Sequence, residues 1–480
     1  MAAYSFEANA AGGRPAMTRL LDAPRAPRSG QWFYSLAAIG FLLARPPAGR
    51  GATSTVTTVA QFQNALTAAQ ANGEDDVINL VSGSYYLSSS LTYIAPSNEN
   101  TSLTVQCAEE GAIIDASEID SGVLRGMYIR TSGTVAHVTL QGLTFRGGLT
   151  TSTDSEQGKG AGLFAYLRYG NLTLQQCGFR KNTATELFNP VNAAGAYLRT
   201  DNDPGAITLR DCVFSNNYAK GVGGGAYITP GYGCTATLIN NLFVTNSGST
   251  QGGGAYIYMV SGTLTIENNT FSGNRTGYGS GGGGAYVRIY NDDCTVNLRN
   301  NIVWSNVADN GVGSDLYIED DYGGNSIGAT VNVQYTDIGD LDLQDGDHLA
   351  LDHRLNVDPL LTEDYHLSGA SPCVDAGTNL PWMVDATDMD GQPRVFNDRP
   401  DLGADETFLC GLTVSVSSNV LTSWDTVKSA VCHLQYTTNL LAGVWTDAGA
   451  PVTAATRRIS IADTNEPGTF KAYRLEWTRP

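Results

Sequence analysis

Lysine is nearly missing from this 480-residue chain, occurring only at positions 159, 181, 220, 428 and 471. Charged residues make up 16% of it, and 28 basic side chains face 47 acidic ones, a net charge of −19. A partner that presents phosphates needs a basic footprint, so nucleic acid is not an expected partner. Cysteine is sparse: eight residues with no Cys-x-x-Cys pair, too few for a disulfide scaffold and wrongly spaced for a zinc or thioredoxin-like centre. No apolar run is long enough to span a bilayer; the best, Trp32 to Ala44, has 13 residues. Stretches of ten or more helix formers are missing from the middle of the chain, which excludes helical repeats.

Glycine, by contrast, is abundant, with 55 residues and no G-X-Y period, as expected for many tight turns between short strands. Hydrophobic residues, at 42%, supply enough material for a core. The glycines belong to a repeat. Leu172-Thr-Leu leads to Phe179-x-x-Asn182, and the pattern returns at Phe214-x-x-Asn217, Phe243-x-x-Asn246, Phe271-x-x-Asn274 and Val303-x-x-Asn306. Interleaved with it stand Gly195-Ala-Tyr, Gly225-Ala-Tyr, Gly254-Ala-Tyr, Gly284-Ala-Tyr and a decayed Ser314-Asp-Leu-Tyr. Units of about 30 residues built from short period-2 segments describe one turn of a parallel β-solenoid. Equivalent residues then stack one strand spacing apart, about 4.8 Å. Leu172, Leu174 and Phe179 face inward, and the Asn at 182, 217, 246, 274 and 306 forms a column at a buried corner.

The expected organisation has four parts. Residues 1–50 carry six arginines before and after the short apolar run and read as a signal peptide or leader. Residues 51–335 form the solenoid, opened by a capping helix near Val59 to Ala69 with Thr57 or Thr58 as N-cap. Residues 336–410 close it. Residues 411–480 hold five short strands, as in a small fibronectin type III-like β-sandwich.

These repeats resemble those of the polymorphic outer-membrane proteins, a family of bacterial surface adhesins, and more broadly the right-handed parallel β-helix proteins of the pectin-lyase-like fold. The segment from Asp358 to Glu406, with Tyr365-His-Leu, Ser371-Pro-Cys, Asp388-Met-Asp-Gly and Asp401-Leu-Gly-Ala-Asp-Glu, is similar to the choice-of-anchor regions that close secreted bacterial β-helix proteins. The resemblance implies an exported or surface-exposed bacterial protein that adheres to a cell surface or binds an extracellular polysaccharide, expected as a monomer. Enzymes of this fold imply the alternative, a lyase or hydrolase acting on acidic polysaccharides. The Gly-His-Gly and Arg-x-Lys elements that hydrolases of this fold would bring are missing. Arg394 and Arg399 beside Asp388, Asp390 and Asp398 come nearest to a lyase constellation, but Asp388-x-Asp-Gly also reads as a closing turn. No catalytic residue is assigned.

Three groups remain as candidates. Tyr197, Tyr227, Tyr256, Tyr286 and Tyr317 alternate with aliphatic residues and should point outward, either as a platform for sugar rings or stacked on one another. Asp340, Asp342, Asp345 and Asp347 offer oxygens to Ca²⁺, the one candidate ion, or form a solvated acidic loop. Cys177 and Cys212 share a ladder position on adjacent coils and are a candidate disulfide, as are Cys410 and Cys432.

Overall fold

The computed structural model describes residues 4–5, 18–19 and 51–478, apart from 109–110, 118–123, 134–135, 153–155, 186–192, 278–280, 292, 310, 321–328, 345–348, 397, 408–412, 417–419, 426–430, 439–443, 449, 454–457 and 464–471. The chain divides into two compact units, 33–407 and a second made of 1–32 with 408–480.

The larger unit is an all-β parallel solenoid. One coil shows the path: Gly205–Arg210 lies in an 11-stranded sheet, Val213–Ser215 in a 9-stranded sheet, Tyr218–Ala219 in a 6-stranded sheet and Ala226–Tyr232 in another 9-stranded sheet. We number these sheets first to fourth in that order. The register keeps equivalent residues in columns. Leu172, Ile207, Ala236, Leu264, Val296 and Val331 lie one over another in the first sheet. In the second, Phe145, Phe179, Phe214, Phe243 and Phe271 stack with ring centroids 4.5–5.3 Å apart. All five rings are buried, so each coil covers the apolar face of its neighbours.

The corners explain the asparagines. Asn182, Asn217, Asn246, Asn274 and Asn306 are buried, and each side-chain amide donates to the Oδ1 of the next and to a phenylalanine carbonyl one coil back. The row ends where Asn306 Nδ2 donates to Asp315 Oδ1 at 2.8 Å. A second ladder, Asn241, Asn269 and Asn301, runs along the preceding corner and went unread in the sequence. Beside it Asp211, Asn240, Asn268 and Asn300 take positive φ, a conformation that Asn and Asp tolerate better than most residues.

Helix α1, Val59–Ala69, covers the first coil as expected, with the Thr58 hydroxyl accepting from the Gln61 amide. Phe62, Leu66 and Ala69 are its buried face. Its polar face also serves the fold. Gln63 exchanges two hydrogen bonds with the backbone of Thr92, in the edge strand of the fourth sheet, satisfying groups that an open edge would leave bare.

From Asp358 to Thr407 the chain packs on the outer side of the second sheet. Tyr365 and Met389 sit on Val213, Leu242 and Val244. Arg394 is fully buried and donates to the carbonyls of Asp401, Gly403 and Asp405, to Asn240 Oδ1 and to Glu406 Oε2. Arg399 instead lies over the Tyr335 ring and donates to Gly377 O. These two arginines are therefore structural ties and do not line an open cleft.

The smaller unit contains antiparallel sheets, one of Thr413–Val416, Val420–Asp425 and Arg458–Asp463, another with Val431–Thr437 against Ala472–Thr478. The described residues do not define a fibronectin type III-like sandwich there. The expected leader over 1–50 falls outside the described residues, apart from strands Tyr4–Ser5 and Thr18–Arg19.

Candidate functional site

The tyrosine column occupies the fourth sheet, where Tyr197, Tyr227, Tyr256, Tyr286 and Tyr317 pair in register. Their rings stack at 5.0–5.2 Å and are at most 8% exposed, which corrects the expectation of a solvent-facing strip. The alternation itself holds, since Leu198, Ile228 and Ile257 are buried in the main core while the tyrosines form a separate cluster outside it. Outward does not mean exposed here because glycine-rich turns lie against the rings: at Gly281 and Gly313 a Cβ would meet the Tyr317 ring at 3.2 and 2.8 Å. Tyr128 and Phe164 extend the stack, and Arg125 lies 5.3 Å from each of those rings.

The exposed chemistry stands two residues further along the same strands. There Arg130, Tyr166 and Arg199 pair in register on successive coils. The Tyr166 ring lies between two guanidinium groups, 5.2 Å from Arg130 and 5.1 Å from Arg199. Its hydroxyl donates to Asp201, which also pairs with Arg199 at 2.6 Å, and Arg130 pairs with Glu156 at 2.7 Å. Burial, then the Asp201 hydrogen bond, push the Tyr166 hydroxyl up to about 12, so it is a neutral donor at physiological pH. Arg130, Tyr166, Arg199 and Asp201 line an open cavity of about 640 Å³ together with Ser132, Arg168, Asn202 and Tyr232. Arg168 is exposed and makes no ion pair among the described residues, and Tyr232 is 63% exposed. The arrangement can grip anions through guanidinium groups while offering ring faces to a sugar.

None of these residues stands among the candidates drawn from the sequence. Arg130 and Tyr166 follow Tyr128 and Phe164 at the same spacing, but those copies lack the Gly-Ala-Tyr signature. The position two after each aromatic was the available signal.

The remaining candidates are scattered. Asp340 is bound into a turn, its Oδ2 accepting from Ser314 N, and Asp342 lies in an edge strand beside Tyr317. Asp345 and Asp347 lie outside the described residues, so the Ca²⁺ loop stays an expectation. Cys177 and Cys212 do stack on adjacent coils, yet both are free buried thiols donating to the carbonyls of Leu140 and Leu174. Parallel register is the reason: neighbouring Cβ atoms keep the strand spacing of about 4.8 Å, wider than the roughly 3.8 Å a disulfide needs. Cys410 and the side chain of Cys432 lie outside the described residues.

Parallel ladders, stacked columns and corner asparagines define a parallel β-helix. Consistent with this, residues 125–327 match the family model described as a right handed beta helix region. Among solved structures the chain is similar to pectate lyase Pel9A, at 16% identity and TM-score 0.41, over 71% of this chain and 90% of that one. It is also similar to the periplasmic alginate epimerase AlgG, at 8% identity and TM-score 0.26, over 64% and 85%. A third is the enzymatically active domain of bacteriophage CBA120 tailspike protein 4, at 10% identity and TM-score 0.22, over 85% and 62%. No curated protein matches. Among the described residues no helix is long and apolar enough to cross a membrane.

Proposed function

We propose that this chain is an exported, non-catalytic glycan-binding or adhesion protein, and that it holds an anionic polysaccharide in the groove of the fourth sheet. The observation that carries this reading is the Arg130–Tyr166–Arg199 ladder, cation, ring and cation on consecutive coils, beside the exposed Arg168, which makes no ion pair among the described residues. In a chain of net charge −19 such a concentration of arginine is a local exception. It favours acidic over neutral sugars because a polyanion gains Coulomb energy there and is repelled elsewhere.

A polar cleft across several coils also suits the second reading, a lyase or hydrolase. Against it, the described lining contains neither histidine nor lysine, and Tyr166 titrates far above neutrality, whereas a general base works best near the operating pH.

The test is retention of the full chain on polyuronides, sulfated glycans and neutral glycans, with polymer length followed in parallel, with and without Ca²⁺. Retention on the anionic polymers should weaken with salt, and Arg168→Ala should lower affinity about tenfold while leaving the melting temperature unchanged. Shortening of the polymer would establish the enzymatic reading, and equal retention on neutral glycans would remove the groove from the argument.

A further inference from the structure

The closing segment gathers a second set of charged groups that the groove does not use. His366, Asp390 and Asp405 come from three turns, and one ligand atom from each lies within 4.8 Å of the others. Two of the turns are closed by backbone bonds, and the third is tied to the first through the Asp405 carboxylate. Thr362 N donates to His366 O, Asp388 N to Gln392 O, and Leu367 N to Asp405 Oδ2. Tyr365 and Met389, the chain neighbours of His366 and Asp390, are packed on the second sheet, so the side chains between them are pre-positioned. Asp405 is the buried wall, 5% exposed, and Asp390 is the open side, with about a third of its side chain in solvent. His366 Nε2 lies 2.7 Å from Asp390 Oδ2, and Nδ1 lies 3.4 Å from Asp364 Oδ1.

One imidazole thus faces three carboxylates, and a fourth, Asp388, is close enough to Asp405 for each other's charge to matter. Carboxylates around the site therefore outnumber the single imidazole that faces them. An ion with two charges answers that excess better than a single proton on the ring.

We propose that His366, Asp390 and Asp405 bind a divalent transition-metal ion of the zinc type, with Asp364 at the rim and water completing the shell. One nitrogen and several carboxylate oxygens form a borderline-hard donor set, suited to Zn²⁺ or Mn²⁺ rather than to soft metals. Binding replaces the proton shared between Nε2 and Asp390: those atoms move apart to admit the ion, and the proton leaves to buffer. The ion would clamp three turns of the closing segment to one another.

The experiment is calorimetric titration of the full chain with Zn²⁺ in two buffers of different ionisation enthalpy, with Ca²⁺ as control. One Zn²⁺ should bind per chain with release of about one proton, and saturation should raise the melting temperature. His366→Gln and Asp390→Asn should each weaken Zn²⁺ binding at least about tenfold and abolish the thermal shift. Asp390→Asn removes a partly exposed group and keeps the protein folded if His366→Gln does not. No stoichiometric binding, or binding undiminished in Asp390→Asn, would reduce the cluster to an ion pair and overturn the proposal.

Discussion

Asn246 makes four hydrogen bonds that no other side chain of its size could make together. Its Oδ1 accepts from the backbone and side chain of Asn217, and its Nδ2 donates to Phe214 O and Asn274 Oδ1. All four lie where water does not reach, so each lost partner leaves a buried group unsatisfied. Asn246→Asp keeps the shape but turns a donor into an acceptor facing two acceptors. It should destabilise by about 3 kcal/mol or more in denaturant unfolding; a change under about 1 kcal/mol would mean that the ladder is not an energetic element of the fold. The same reasoning, applied to the repeat spacing alone, places these asparagines at a buried corner. The ladder of Asn241, Asn269 and Asn301 escaped it because Asn-Asn pairs there read as turn residues, and a turn asparagine is usually solvated.

At the scale of the element, what matters is the closeness of successive coils. A Cβ on Gly254 would sit 2.4 Å from Gly284 O, and the equivalent atom on Gly225 would sit 2.4 Å from Gly254 O. Both obstacles are backbone and cannot rotate away, which explains glycine in each Gly-Ala-Tyr copy. Gly178 is a contrast: its Cβ would meet the Thr144 side chain, and the next coil carries Val213 in the same register. Gly254→Ala should therefore destabilise by about 1–3 kcal/mol and Gly178→Ala by less, since a side chain and not backbone must give way there; thermal melts of the two variants side by side test the contrast, and equal melting temperatures would refute it. The strand pattern told inward from outward correctly, as Ile257 and Tyr256 demonstrate. It did not tell outward from exposed, because the turns that cover the tyrosines come from chain segments with no apolar signature of their own. The groove was hidden for a related reason: Arg130 and Tyr166 sit on coils whose glycine motif has decayed, so only the later coils announced the column.

For the molecule as a whole, burial of acids sets the pH response. Asp211 and Asp337 are both pushed up to about 6, in each case first by burial. Asp337 is fully buried, with Val357 N and the Cys373 thiol as donors. The folded state therefore holds protons that the unfolded chain, with ordinary carboxylates near 3.8, has already released. This contribution is full below about pH 3.8 and is lost as pH rises through about 6. Self-repulsion at net charge −19 acts in the same direction. Melting temperature should therefore be higher at mildly acidic than at slightly alkaline pH, and Asp337→Asn should flatten the profile by raising only its upper end; a profile unchanged by that substitution would contradict the assignment. Fold class was readable because thirty-residue periodicity is a property of the whole chain and survives local decay. Function depends on which few columns stay open to solvent, and that is decided between coils.

The corner row from Asn182 to Asn306 also has a direction. Along the row every amide gives one N–H to the next residue toward the C-terminal end, and the last one meets the carboxylate of Asp315. Five side-chain dipoles are thus aligned head to tail inside the protein, with their positive ends toward a buried acid. The solenoid carries, in side chains rather than backbone, the kind of axial polarity familiar from an α-helix. Adding a coil would lengthen this row without new chemistry, but no amide in it could be flipped alone without setting two oxygens against each other.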